Sequence, residues 1–241
     1  MDGGHTGTGH TGTGHTGTGH TGTAARASYH DWVRHDVLPL VPSMGGTLLD
    51  FGGGVGATAS EVKARGLVER IGVIDQIDPQ SDGPPLDFHI TGDVEQPQLI
   101  KHAIDEHGPF STILCLDVLE HLRDPWSVVK HLQTGLTPEG VMIASIPNVR
   151  NYQALFPLLF HNQWTLTDAG ILDRTHLRFF VRDTAIELMT PPGLMLEEIQ
   201  PSASGGKKIR LLRAFTLGLF NSFTDRQYII RVRASGSPSS D

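Results

Sequence analysis

Apolar positions in the middle of the chain come in blocks and do not alternate residue by residue. Thr47-Leu48-Leu49-Asp50-Phe51 is a continuous apolar run of strand length that leads straight into glycines. Arg70–Asp75, Phe110–Leu116 and Val141–Ile146 repeat the pattern, and Phe88–Thr91 is a weaker version of it. Runs of this kind suit parallel strands buried between two layers. The intervening segments Ala57–Arg65, Leu99–Glu106 and Trp126–Leu136 read as helices, with Gly66 suited to cap the first. Thr137-Pro138-Glu139-Gly140 reads as a turn. Strand alternating with helix predicts an α/β fold: a doubly wound, mostly parallel sheet with helices on both faces.

The flanks are less regular. Trp32, Val33, Val37 and Leu38 predict a short amphipathic helix over Tyr29–Leu40, ended by Pro39 and Pro42. Further helices are expected over Tyr152–Phe160 and Thr184–Met189, and strands over Leu194–Ile199 and Tyr228–Arg233. Ile209–Phe223 is apolar enough to pack as a helix or to cover a site as a lid. Before all of this, Gly-His-Thr-Gly-Thr occurs four times from Gly4 to Thr23, placing His5, His10, His15 and His20 at a five-residue period. Such a segment has little apolar surface to bury and much backbone entropy to lose, so residues 1–27 are expected to be a disordered leader. Its imidazoles are capable of adventitious Zn, Ni or Cu binding. The domain proper is expected over 28–234, with a frayed tail over 235–241.

Charge and cysteine content narrow the setting. A net charge of -7 gives no basic surface to draw the chain to nucleic acid or anionic lipid, although Lys207, Lys208, Arg210 and Arg213 could form a local patch. The single cysteine, Cys115, has no internal partner, and no apolar run is long enough to span a bilayer. These features predict a cytoplasmic protein of unspecified oligomeric state.

The most informative segment is Asp50-Phe51-Gly52-Gly53-Gly54-Val55-Gly56. Glycines after a strand let the backbone turn sharply and approach a ligand, while the next helix aims its first amides at it. Dinucleotide-binding turns use the same device, and the glycine spacing here does not exclude one. Asp50 does argue against it, because an acid two residues before the first glycine repels a pyrophosphate. A cofactor carrying a sulfonium and an ammonium would be attracted.

Together with Asp117-Val118-Leu119-Glu120-His121-Leu122-Arg123-Asp124-Pro125, Ser145-Ile146-Pro147-Asn148-Val149 and Leu172–Phe180, this turn resembles the class I, Rossmann-like S-adenosylmethionine-dependent methyltransferases. The likeness is to the broad methyltransferase-domain family often found beside glycosyltransferases, and it runs from Tyr29 to Arg233. It implies a seven-stranded sheet with an antiparallel last strand, and S-adenosylmethionine as cofactor. By that resemblance the backbone of Gly52, Gly53, Gly54 and Gly56 cradles the methionine part and Asp50 anchors its amino group. Asp75 would receive the ribose hydroxyls, with Gln76 or Asp78 as alternatives in a shifted register. Asp93 would lie near the adenine amino group, or else cap its own turn. Leu116 and Asp117 would run along the cofactor.

Methyl transfer asks the protein for alignment and dryness, plus a base when the acceptor is a hydroxyl or ammonium. His121 and His176 are the candidates, because imidazole titrates near neutrality. Each has a structural alternative, as a helix-start histidine and as part of a loop salt-bridge network. Asp173 and Arg174 flank His176 and could orient it or hold the acceptor, and Asn148 closes the fifth strand at the ligand-binding end of such sheets. No local cluster has metal-ligand spacing, so no metal is expected. The expected reaction is methylation of a small-molecule acceptor of sugar, lipid or natural-product type, with O-methylation favoured. A nicotinamide-dependent oxidoreductase and a non-catalytic cofactor-binding module are the alternatives.

Overall fold

The computed structural model describes residues 32–78, 83–203 and 220–235. The histidine repeat, the segment 209–219 and all but the first residue of the C-terminal tail lie outside them. Seven strands form one sheet: β1 (Thr47–Phe51), β2 (Arg70–Asp75), β3 (Phe88–Thr91), β4 (Phe110–Leu116), β5 (Leu136–Pro147), β6 (Leu194–Ala203) and β7 (Asp225–Ala234). Their order is β3-β2-β1-β4-β5-β7-β6, parallel throughout except for β7, which runs antiparallel to both neighbours.

Successive side chains of each strand feed opposite layers. Leu49, Ile113, Cys115, Met142 and Ala144 join one apolar core with α2 (Pro97–His107), α3 (Pro125–Gln133) and α5 (Arg182–Met189). Leu48, Ile71, Leu114 and Ile143 join the other, with α1 (Ala57–Ala64) and Val37, Leu38 and Leu40. Cys115 is fully buried in β4, and burial pushes its thiol far above the usual range. Among the described residues the remaining α-helices are α4 (Tyr152–His161) and the single turn α6 (Asn221–Thr224). Among the described residues no helix is long and apolar enough to cross a membrane.

The departures from expectation are local. The helix foreseen over Tyr29–Leu40 is, within the described residues, a turn followed by a 3-10 turn at Leu38–Leu40. Pro39 lacks the amide that an α-helix needs there and disfavours helical backbone at the residue before it. Thr137–Gly140 is not a turn between elements but part of β5. The partner register jumps from Phe110↔Leu136 to Thr112↔Val141, so the extra residues bulge out of the ladder. Gly66 does cap α1, with φ +71° and its amide donating to the Lys63 carbonyl at 2.8 Å.

Candidate active site

The carboxyl-terminal ends of β1, β2, β4 and β5 carry most of the expected residues. After β1 the chain turns through Gly52, whose φ is +73°, and whose missing Cβ would stand 2.5 Å from Val118 Cγ2. Gly53 is glycine for a different reason: a Cβ there would lie 2.6 Å from Asp50 Oδ2. The Asp50 carboxyl is therefore packed directly beneath the turn, 2% exposed. Burial, and secondarily the charge of Asp75, push it up to about 7, while the Ala59 amide holds it down only in part. Asp75, at the end of β2, accepts the Gly54 amide on Oδ2 at 2.8 Å and the Ile77 amide on Oδ1 at 3.0 Å. It is thus tied to the glycine turn itself, and each oxygen keeps a second lone pair for a ligand hydroxyl.

Asp93 is exposed and accepts the Glu95 amide at 3.0 Å, the self-capping arrangement weighed against adenine contact. Asp117, following β4, has left-handed backbone at φ +53°. An L-residue takes that conformation at a cost, and such positions gather at functional sites. Its carboxylate accepts the Ser145 hydroxyl at 2.7 Å and the Arg34 guanidinium, which also donates to Ser145 Oγ at 3.1 Å. Arg34 further forks onto both Asp36 oxygens at 3.0 Å. The N-terminal segment is thereby clasped onto β4 and β5. Sequence reasoning missed Arg34, because a lone arginine in an amphipathic stretch gives no signal of its partner.

The second half of the site is assembled from far along the chain. Glu120 and His121 sit in a 3-10 turn after β4. The Glu120 carbonyl accepts the amides of Leu177 at 2.8 Å and Arg178 at 3.0 Å, which docks the loop carrying His176. The two imidazoles meet edge to face, with centroids 4.7 Å apart. His121 Nδ1 lies 3.2 Å from the Thr175 carbonyl and 3.1 Å from its hydroxyl, and that hydroxyl donates to Asp173 at 2.6 Å. His176 Nδ1 lies 3.0 Å from the Ile171 carbonyl. Burial lowers His176 below the ordinary imidazole range, outweighing the Ile171 bond, so it is neutral at pH 7. Burial opposes ionisation of Asp173, but the Thr175 hydroxyl and amide and the two imidazoles hold its carboxyl low. The Glu120 carboxyl is pushed well above the usual range by burial and then by the charge of Asp117.

Two expected acceptor-binding residues have partners within the protein. Asn148 is fully buried; its amide donates to the carbonyls of Ser222 at 2.8 Å and Asp225 at 2.9 Å, and its carbonyl accepts the Arg150 amide at 3.1 Å. With both amide hydrogens and one carbonyl lone pair engaged in the interior, it fastens α6 and β7 to the end of β5. Asn148→Ala is expected to cost roughly 1–3 kcal/mol, because the Ser222 carbonyl loses this donor and the Arg150 amide its acceptor, while Asn151 still donates to the Asp225 carbonyl. Urea unfolding checks this, and KM for the acceptor should stay within twofold. Arg174 turns to solvent and pairs with Asp168 at 2.7 Å, away from the imidazoles. Its flanking position in sequence does not become contact in space.

A family model described as a methyltransferase domain matches residues 26–199. The chain therefore belongs to the methyltransferase-domain family, a family of enzymes. Comparison with curated protein sequences gives no match. Solved structures share the fold at low identity. A SAM-dependent methyltransferase from Archaeoglobus fulgidus is 13% identical, with a TM-score of 0.54 over 88% of this chain and 94% of that one. An S-adenosylmethionine-dependent methyltransferase from Mesorhizobium loti is 14% identical, with a TM-score of 0.54 over 82% and 96%. The N-methyltransferase NodS from Bradyrhizobium japonicum, in complex with S-adenosyl-L-homocysteine, is 15% identical, with a TM-score of 0.51 over 89% and 88%.

Proposed function

We propose that this enzyme transfers the methyl group of S-adenosylmethionine to a hydroxyl of a small-molecule acceptor in the cytoplasm. The observation that carries the cofactor reading is Asp50, a carboxyl buried beneath the glycine turn, where only a cationic ligand group gains from it. A dinucleotide pyrophosphate would meet Asp50 and Asp75 together. The turn and Asp50 take the methionine end, Asp75 the ribose, and Leu116 and Asp117 line the path to the reacting methyl.

The acceptor reading rests on the imidazole pair and its surroundings. A groove of about 410 Å³ is lined by Gln153, Pro157, Gln163, Thr165, Leu172 and Arg226, among others, and includes Ile171, whose carbonyl holds His176. Phe156, Leu159 and Phe160 of α4 are exposed nearby in sequence, a surface that suits an acceptor with an apolar part. In the reaction the acceptor hydroxyl gives up its proton to the Nε2 of His176 or His121. The freed oxygen lone pair forms the O–CH3 bond, and the S–CH3 bond breaks to leave S-adenosylhomocysteine.

Calorimetric titration with S-adenosylhomocysteine and with NAD tests the cofactor, and label transfer from methyl-labelled S-adenosylmethionine to a panel of hydroxylated acceptors tests the rest. Saturable binding of the former alone is expected; binding of NAD, or of neither, overturns the reading. The affinity should also depend on pH. Below about 7 Asp50 is protonated and offers the ammonium no counter-charge. Binding should therefore weaken toward tenfold per pH unit below that point and level off above it. Asp50→Asn should flatten the profile, and an unchanged slope would remove Asp50 from ammonium binding.

A further inference from the structure

The Glu120, His121 and His176 cluster has features that an acid–base role alone does not require. Its donor atoms, one from each side chain, all lie within 4.8 Å of one another, and His176 Nε2 is 3.9 Å from Glu120 Oε1. That separation is too long for a hydrogen bond. Ligand atoms around a shared tetrahedral ion stand about 3.4 Å apart, so side-chain movements of about 1 Å would close the set.

Two independent observations point the cluster at a cation. Both imidazoles direct Nδ1 at a backbone carbonyl, Thr175 for His121 and Ile171 for His176. A carbonyl only accepts, so each Nδ1 carries the proton and each Nε2 keeps its lone pair. This is how ligating histidines are fixed by their outer partners. The chain from His121 through the Thr175 hydroxyl to Asp173 extends that support by one more step. The second observation is Glu120 itself. Its side chain is 2% exposed, and neither carboxyl oxygen has a hydrogen-bond partner. A desolvated carboxylate without a donor is unfavourable, and burial of such a group is relieved by uptake of a proton or by a counter-charge or metal that takes the proton's place.

We infer that Glu120, His121 and His176 form a site for one divalent first-row transition ion, held by two imidazole nitrogens and one carboxylate. The nitrogen content favours the later first-row ions such as Co2+ and Zn2+ over Mg2+ and Ca2+, which prefer oxygen, with Mn2+ the weakest binder of the series. Three protein ligands leave coordination open for an acceptor oxygen. The ion's role, though not its binding, rests on the methyl transfer proposed above. A hydroxyl bound to it loses its proton to solvent more readily, which would relieve the imidazoles of acting as base. The expectation that no metal is held followed local spacing, and the fold brings His176 to the Glu-His pair from the far side of β5 and α4.

The test uses the full chain with His5, His10, His15 and His20 changed to Gln, so that the repeat contributes no sites. Equilibrium dialysis against Co2+, read by metal content and visible absorption, should give one equivalent. Glu120→Gln and His176→Gln should each weaken it at least tenfold. Substoichiometric Mn2+ added to the chain with an unaltered cluster should broaden amide signals of residues 120, 121 and 175–177 first, which needs neither cluster variant to fold. No saturable binding, binding indifferent to both substitutions, or broadening centred elsewhere overturns the site. S-adenosylhomocysteine titration of the same samples reads the methyltransferase proposal separately, so loss of one leaves the other standing.

Discussion

Gly53→Ala is expected to lower affinity for S-adenosylhomocysteine at least 100-fold. The added carbon would sit 2.6 Å from Asp50 Oδ2 and 2.8 Å from Asp50 Cβ, well inside contact distance. The carboxyl cannot step aside, because it is enclosed by the core beneath β1 and the start of α1. Either the turn lifts, moving the Gly54 amide off Asp75, or Asp50 leaves its place. Both outcomes spoil the cradle, and packed interiors resist such shifts. Calorimetry measures the loss, and circular dichroism establishes that the sheet persists. An affinity within threefold of the parent would mean that the cofactor does not depend on this turn.

His176→Ala is expected to reduce kcat by about 10²–10⁴-fold, the usual range for a lost proton acceptor, with S-adenosylhomocysteine affinity within twofold. The pH profile makes the test specific. His176 is held below the ordinary imidazole range by burial, so the parent should lose activity only as pH falls through a value below 6.5. The acid limb should disappear in the variant. The same depression has a sign for stability: the unfolded chain takes up the proton first, so His176 withdraws stability as pH drops below 6.5. Equal kcat in parent and variant would remove His176 from the chemistry.

How much of this was legible in the sequence depends on how local the cause is. The bounds of β1, β2, β3 and β4 were readable because each is a compact run between turn residues, and in β1, β2 and β4 burial on both faces leaves almost no polar register to misplace. The bulged arm of β5 was not readable, because Pro138 and Gly140 look the same in a turn and in a bulge. For the site, Asp50, Asp75 and the glycines lie within one strand-turn-helix step of each other, and the motif carries them together. The packing role of Asn148 was not legible for the opposite reason. Its position at a strand end is right for a ligand, but its amide is engaged by carbonyls of Ser222 and Asp225, which only the return of β7 brings near. The backbone of Glu120 pairs with the loop that carries His176, while its carboxyl points into the imidazole cluster. That distinction requires the docked loop, as does the link between Arg34 and Asp117.

The place of Cys115 has a practical consequence. It is the chain's one thiol, it lies at the centre of the sheet, and it has no exposed surface. Since it is the thiolate that attacks a thiol reagent, the native protein should be inert to such reagents, and the label should enter only when β4 separates from its neighbours. Alkylation kinetics then become a clock for opening of the sheet, needing no engineered probe, and a cofactor that binds only the closed form should slow that clock in proportion to its occupancy.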